Sequence, residues 1–283
     1  MSYILQDLSP SALIRAIEAN QFEFSKDLGR SPQVEMHEDP DIVWFVTGRP
    51  FPRFNRVLRA HFESEGVDAR IEAALAPFRS RNVPMVWHTG PTTRPADLGD
   101  RLLAHGLKRT GDEPGMALDL WTLPASVSAS TPSTLTIERV AEMDRLREWA
   151  HTCSGAFGSV PGVAEARRSV EADLGLGVPW RRLYIGLLEE QPVATSLLFL
   201  GAGVAGIYTV GTVPAAREQG IGRAMTIAPL AEARALGYRV GVLHASPMGV
   251  GIYRRLGLRE YCRLCCYVRS HWRNGSPGRR GNW

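Results

Sequence analysis

The sequence predicts an α/β protein of the α+β type, a mixed twisted sheet flanked by helices and built as two tandem, similar lobes. Three observations carry this. Helix-like and strand-like segments alternate throughout the second half. A helix–Gly–strand ending recurs in both halves. A polar stretch with two prolines, residues 123–136, separates them and reads as a linker. The chain has 283 residues, which at roughly 150 residues per domain suggests about two domains.

The second half is the clearer one. Residues 141–153 and 163–174 carry apolar residues at helical spacing, and 183–188 read as a strand. A hairpin turn is expected at 189–192, with Pro192 kept out of the next strand, 193–200. A turn at 201–203 leads to a strand at 204–213, rich in β-branched residues. A helix over 221–236 ends at Gly237, followed by a strand at 240–245. A short helix over 248–256 ends at Gly257, and 261–269 form the last strand. The first half repeats this ending: a strand at 83–89, a helix closing near Gly106, and a strand at 116–120. The expected division is therefore a first lobe 1–122, the linker, a second lobe 137–270 and a basic tail 271–283 expected to be disordered.

Composition excludes several classes. Hydrophobic residues make up 44% and charged residues 22%, ordinary values for a globular chain. No run of about 18 apolar residues is present, so no membrane partner is expected, and the start lacks a secretory pattern. The net charge is +4, with Lys26 and Lys108 the only lysines among 33 basic residues. Acids are interspersed and no basic run interleaves with aromatics, so no nucleic-acid partner is expected. Cys262, Cys265 and Cys266 share one strand with Cys153 apart. Positions 262 and 265 fall on opposite faces of a strand, so no metal site is expected, and buried thiols in a reducing cytoplasm are.

The chemistry concentrates in Val213-Pro214-Ala215-Ala216-Arg217-Glu218-Gln219-Gly220-Ile221-Gly222-Arg223-Ala224, between a strand and a helix. Pro214 ends the strand, and Gly220 and Gly222 permit a sharp turn and close approach of a ligand. The helix then begins with free N–H groups and a partial positive charge, suited to a phosphate or pyrophosphate. Arg217 and Arg223 are expected to add mobile charge at the rim. The glycines do not complete a G-x-G-x-x-G fingerprint, and no lysine completes a Walker loop.

Arg-x-x-Gly-x-Gly at 217–222 resembles the pyrophosphate loop of the GNAT superfamily of acyl-CoA-dependent N-acyltransferases. The resemblance extends downstream through Ser246, Tyr253 and the pair Gly257-Leu258, and covers residues 135–269. It implies a GNAT fold and a primary-amine N-acetyltransferase using acetyl-CoA as co-substrate. The backbone of Val210, Gly211 and Thr212 would pair with the pantetheine arm. Arg217, Glu218, Gln219, Gly220, Ile221, Gly222, Arg223 and Ala224 would hold the pyrophosphate, Ser246 would touch the cofactor, and Tyr253 would protonate the leaving thiolate. Glu218, Leu258 and Ser246 depart from common family residues, and Pro229 should kink the motif helix. His244, Tyr208 and Glu189 are alternative general bases. Trp149, Phe157, Trp180 and Tyr208 are candidates to line the acceptor site, for a small-molecule or protein amine. The first lobe has no such motif; its glycine loop 47–52 places prolines where amides are needed. It is expected to be a degenerate copy that shapes the acceptor cleft or a homodimer interface.

Overall fold

A computed structural model describes residues 3–123 and 131–269. In chain order the elements are α1 (Pro10–Asp27), β1 (Glu35–Glu38), β2 (Ile42–Val46), β3 (Asn55–Ala60), α2 (Val67–Ser80), β4 (Met85–Thr89), α3 (Leu98–Ala104) and β5 (Lys108–Asp119). There follow β6 (Leu135–Arg139), α4 (Met143–Ala156), α5 (Val163–Leu174), β7 (Arg181–Leu188), β8 (Gln191–Gly201) and β9 (Val204–Thr212). The chain then forms α6 (Ile221–Ala235), β10 (Val240–His244), α7 (Val250–Arg255) and β11 (Arg259–Arg269).

These elements form two compact units, and they are not the two halves of the sequence. Among the described residues, unit 1 comprises 3–24, 114–123 and 131–261, and unit 2 comprises 25–113 and 262–269. This replaces the division at 123–136. Leu123 is buried in the unit 1 core, and Leu135 opens β6, so both ends of the expected linker belong to the fold. Residues 124–130 and the expected tail 271–283 lie outside the described residues. The reason for the different cut is strand exchange. Gly115–Asp119 of β5 pair antiparallel with β10 inside unit 1, and Cys265–Arg269 of β11 pair antiparallel with β4 inside unit 2. Each sheet is thus completed by a strand from the other half of the sequence.

In unit 1 the strand order is β5–β10–β9–β8–β7–β6. Alternation along β7 sends Leu183, Ile185 and Leu187 to one face and Tyr184 to the other. On the first face, Leu146, Trp149, Ala150 and Cys153 of α4 form an apolar stripe at helical spacing and pack on β7 and β8. On the second, Ile221, Met225 and Leu230 of α6 pack against Leu198, Ile207 and Leu243. Each fully buried side chain of this size contributes about 1.5–3 kcal/mol. α6 is continuous from Ile221 to Ala235 across the buried Pro229.

Two local readings change. Glu189 and Glu190 both adopt positive φ (49° and 67°) and form the whole β7–β8 turn. Pro192 therefore lies inside β8, opposite Leu187, where a register shift in the ladder accommodates its missing donor. A buried ion pair ties α5 to β7: Arg181 donates to Glu171 through Nε at 2.9 Å and Nη2 at 2.7 Å. Its side chains are 2% and 6% exposed.

Unit 2 has the order β1–β2–β3–β4–β11. Its core joins Trp44, Val57 and Trp87 of the sheet to Ile71, Leu75 and Phe78 of α2 and Leu98 and Leu102 of α3. The strand expected at 116–120 is the C-terminal end of the longer β5.

Candidate active site

The site in unit 1 starts from a break in the sheet. β9 and β10 run parallel, pairing Ala205–Ile207 with Gly241–Leu243, and the ladder stops there. The next residue but one, Thr209, has φ +48°, and the β8–β9 register shifts beside it. This is a β-bulge, which adds a residue to one strand and bends it. Thr195 Oγ1 donates to the Thr209 carbonyl at 3.0 Å and braces the bulge. Beyond it, Val210, Gly211 and Thr212 have no ladder partner on the β10 side and are half-buried. An extended ligand can pair with such an edge through backbone hydrogen bonds.

The loop after β9 brings the motif to the same place. Pro214–Ala216 form one turn of 3-10 helix. Glu218 has φ +64° and Gly220 φ +75°, so the left-handed conformation explains why glycine suits both positions and why glutamate at 218 is strained. Gly220 is the N-cap of α6, with no side-chain cap bond. The amides of Ile221, Gly222 and Arg223 precede the first helical bond, from Ala224 N to Gly220 O. Gly222 does not need positive φ; a Cβ there would lie 3.7 Å from Thr212 Oγ1 and 3.8 Å from Ile252. That contact places β9, α6 and α7 side by side. Gln219 and Glu218 are exposed.

Arg217 corrects the sequence reading. Its guanidinium donates to the carbonyls of Thr212 at 3.1 Å and Ala156 at 2.9 Å. It is no mobile rim charge; it clamps the end of α4 to the end of β9. Arg223 Nη1 is buried with no hydrogen-bond partner among the described residues.

Tyr253, on α7, belongs to the same apolar cluster as Ile221 and Val210. It is 8% exposed, and burial pushes its hydroxyl up to about 12. Its proton is therefore retained at neutral pH and available to a stronger base. Ser246 is exposed, and its Oγ and carbonyl both accept from Gly249 N, at 3.2 and 3.0 Å. Its hydroxyl thus supports the entry to α7.

The structure separates the three candidate bases. Tyr208 donates its O–H to Asn20 Oδ1 at 2.7 Å and stacks on Phe24 with ring centroids 3.8 Å apart. Burial, the largest effect, raises its pKa; Arg181 opposes it and Glu23 adds a lesser upward push. A hydroxyl already committed as a donor is not a base. Glu189 is exposed in the hairpin turn. His244 ends β10 with Nε2 buried and unpartnered, and burial lowers its pKa to about 4. Thr209 Oγ1, on the opposite strand of the break, is buried and unpartnered as well.

Of the aromatic residues expected to line the acceptor site, Trp149 does not. It is fully buried in the core, with Nε1 donating to the Ser196 carbonyl at 3.4 Å. Phe157 and Tyr208 pack against that core, and Trp180 is partly exposed. Sequence reasoning missed Asn20. It is fully buried and also donates to the Gly201 carbonyl at 2.9 Å. An asparagine inside an otherwise ordinary amphipathic helix was the available signal. Among the described residues, no group of three or more His, Cys, Asp or Glu is placed to hold a metal ion.

The arrangement sets the strand edge Val210–Thr212 beside the N-terminus of α6, which no side chain caps. Two orphaned polar atoms flank the break.

No protein-family model matches the sequence, and no curated protein matches it. Solved structures do match the fold. A GCN5-related N-acetyltransferase from Kribbella flavida superposes with TM-score 0.65 at 19% identity, over 88% of this chain and 95% of that one. A GCN5-related N-acetyltransferase from Sphaerobacter thermophilus gives 0.60 at 17% identity, over 92% and 93%. A tandem GNAT protein from the clavulanic acid biosynthesis pathway gives 0.59 at 13%, over 96% and 99%. With the β9–β10 break and the glycine turn into α6, these matches show that the chain has the GNAT fold.

Proposed function

We propose that this chain is an acetyl-CoA-dependent N-acetyltransferase with one active site, in unit 1, acting on a primary amine of a small molecule or protein. The observation that carries this reading is the coincidence, at one break in the sheet, of an unpaired strand edge, an uncapped helix N-terminus and a protonated tyrosine. The backbone of Val210, Gly211 and Thr212 pairs with the pantetheine arm. The amides of Ile221, Gly222 and Arg223 hold the pyrophosphate, reinforced by the helix dipole and the turn Glu218-Gln219-Gly220. Ala224 closes the first helical bond, and Arg217 fixes the loop. Ser246 orients the segment that carries Tyr253. Tyr253 donates its proton to the sulfur as the thiol leaves. The four free thiols suit a reducing, cytoplasmic setting.

Calorimetric titration of acetyl-CoA into the wild type and into Gly222→Pro tests the site. Proline in the first helical turn is tolerated, but it removes one amide from the cradle. One molecule bound per chain by the wild type and none by the variant is the expected result. Tyr253→Phe, assayed by thiol release with a panel of amines, should lose turnover and keep acetyl-CoA affinity. A wild type that binds acetyl-CoA and acetylates no amine would instead be an acyl-CoA-binding protein without catalysis.

A further inference from the structure

We propose that His244 is the proton acceptor of the acyl transfer, taking the proton that leaves the acceptor nitrogen as it bonds to the acyl carbon. The inference rests on the function proposed above.

Four observations assign this role. His244 is the first residue of β10 past the paired stretch, so it stands where the two strands part. Its neighbours Leu243 and Ala245 belong to the apolar cluster on the α6 side of the sheet. Alternation therefore turns His244 to the other face, where the ring of Tyr208 lies 6.3 Å away. Tyr253 belongs to the α6-side cluster. Tyr253 and His244 thus belong to opposite faces of the sheet. Finally, Nε2 of His244 is buried and no group among the described residues hydrogen-bonds to it. A buried nitrogen with no partner is costly unless a ligand supplies one.

The surroundings define when His244 acts. Burial lowers its titration. The Tyr208 ring on β9 lies 6.3 Å from it between centroids, and Gly115 is its partner on β5. Such a ring is neutral at pH 7 and too weak a base to deprotonate an alkylammonium ion. The amine therefore enters uncharged. Its nitrogen becomes acidic once the N–C bond forms, and its proton then passes to Nε2. The C–S bond breaks, and the sulfur takes the proton of Tyr253. Solvent returns a proton from the imidazolium to the tyrosinate, so the net reaction is amine plus thioester to amide plus thiol.

The test compares His244→Gln and His244→Ala with the wild type. With a responsive amine, kcat for His244→Gln should fall about 100-fold, the lower end of general-base effects. Acetyl-CoA affinity, read by calorimetry, should stay within about twofold of the wild type, because the general-base effect falls on the proton-transfer step and His244 is not among the groups holding the arm or pyrophosphate. Added imidazole should restore part of the His244→Ala rate. Independently of turnover, histidine NMR of the protein without ligand should show His244 titrating far below the other histidines. Wild-type kcat in His244→Gln at unchanged affinity would overturn the proposal while leaving the acetyltransferase reading in place. So would a His244 that titrates like an exposed histidine. A wild type that neither binds acetyl-CoA nor releases thiol would remove both.

Discussion

Each unit contains a strand, a turn and a helix followed by a parallel strand: β9–α6–β10 in unit 1 and β3–α2–β4 in unit 2. The backbone of the two helix entries is nearly the same. Gly220 has φ 75° and Gly66 φ 71°, both left-handed N-caps without a side-chain cap bond. Their surroundings differ. The turn before Gly220 carries Arg217 and Glu218, whose charges offset, and Gly222 follows two residues later. The turn before Gly66 reads Glu63-Ser64-Glu65, all exposed, and Asp68 occupies the place of Gly222. The strand edges differ too. After Ile207, β9 has no ladder partner on the β10 side among the described residues, and the Thr212 carbonyl accepts from Arg217. In unit 2 the segment after β4 fills that position: Arg94 N donates to the Ala60 carbonyl at 3.3 Å, and Phe62 N donates to the Arg94 carbonyl at 3.1 Å. The chain itself makes the bonds that an extended ligand would make. The comparison teaches that the fold supplies a helix N-terminus in both units, while side-chain charge and a free strand edge decide whether an anion can use it. It also corrects the sequence reading, which compared the site with the glycine loop at 47–52 rather than with residues 61–66.

The contrast can be attacked directly. Gly222→Asp places in α6 the acid that unit 2 has in α2. Repulsion between like charges a few ångströms apart near a surface is worth about 4 kcal/mol, so acetyl-CoA affinity should drop by at least about 100-fold in a folded protein. An unchanged dissociation constant by calorimetry would show that the helix entry does not hold the pyrophosphate. Arg217→Ala removes two bonds from a guanidinium to carbonyls. Bonds to charged groups contribute about 1.5–3 kcal/mol. Thermal unfolding should therefore come at lower temperature and acetyl-CoA should bind more weakly, whereas a mobile rim charge would leave unfolding untouched.

Unit 2 uses its acids differently, and pH reveals it. His105 bonds Glu72 through Nδ1 at 2.7 Å and Asp68 through Nε2 at 3.0 Å. Burial acts to lower its pKa, but these two carboxylates outweigh it and the net shift is upward. The stabilisation is then complete below the unfolded value near 6.5 and is lost as pH rises through the higher folded value. Bonds from Arg79 and His105 hold Glu72 down to about 2, so its contribution is lost only as pH falls toward that value. His105→Gln should flatten the alkaline fall in unfolding temperature, and a fall of undiminished size would refute the assignment. The smallest effect is expected from Asp68→Gly. Acetyl-CoA should still bind at one site per chain, because Glu63 and Glu65 remain and Arg94 still occupies the strand edge. A second site in this variant would mean that charge alone separates the units.

Much of the candidate site was legible because it is local. Residues 217–222 announce a turn and helix entry through glycine and proline chemistry, and the structure puts left-handed residues at Gly220, Gly237 and Gly257, where helix ends were expected. Thr209 was not legible. Nothing in Tyr208-Thr209-Val210 marks a bulge, since a threonine at positive φ is disfavoured and is held by contacts from β8. Asn20 lies 188 positions from the Tyr208 it binds, so no spacing rule could pair them. The elements α1, β1, β2, β3 and α2 were not resolved, because the first half lacks the strong punctuation of the second.

The sequence by itself determined the alternation of helices and strands, the glycine-proline turn into α6 and the tyrosine that follows it. All of these rest on residues close together in the chain. Tertiary structure decided which strands complete each sheet, that Arg217 clamps rather than guides, that Tyr208 is spent on Asn20, and that His244 Nε2 finds no partner among the described residues. Each of these depends on what a distant segment brings to a donor, an acceptor or a strand edge. Buried polar groups must find partners wherever the fold provides them, and local sequence patterns do not record where that is.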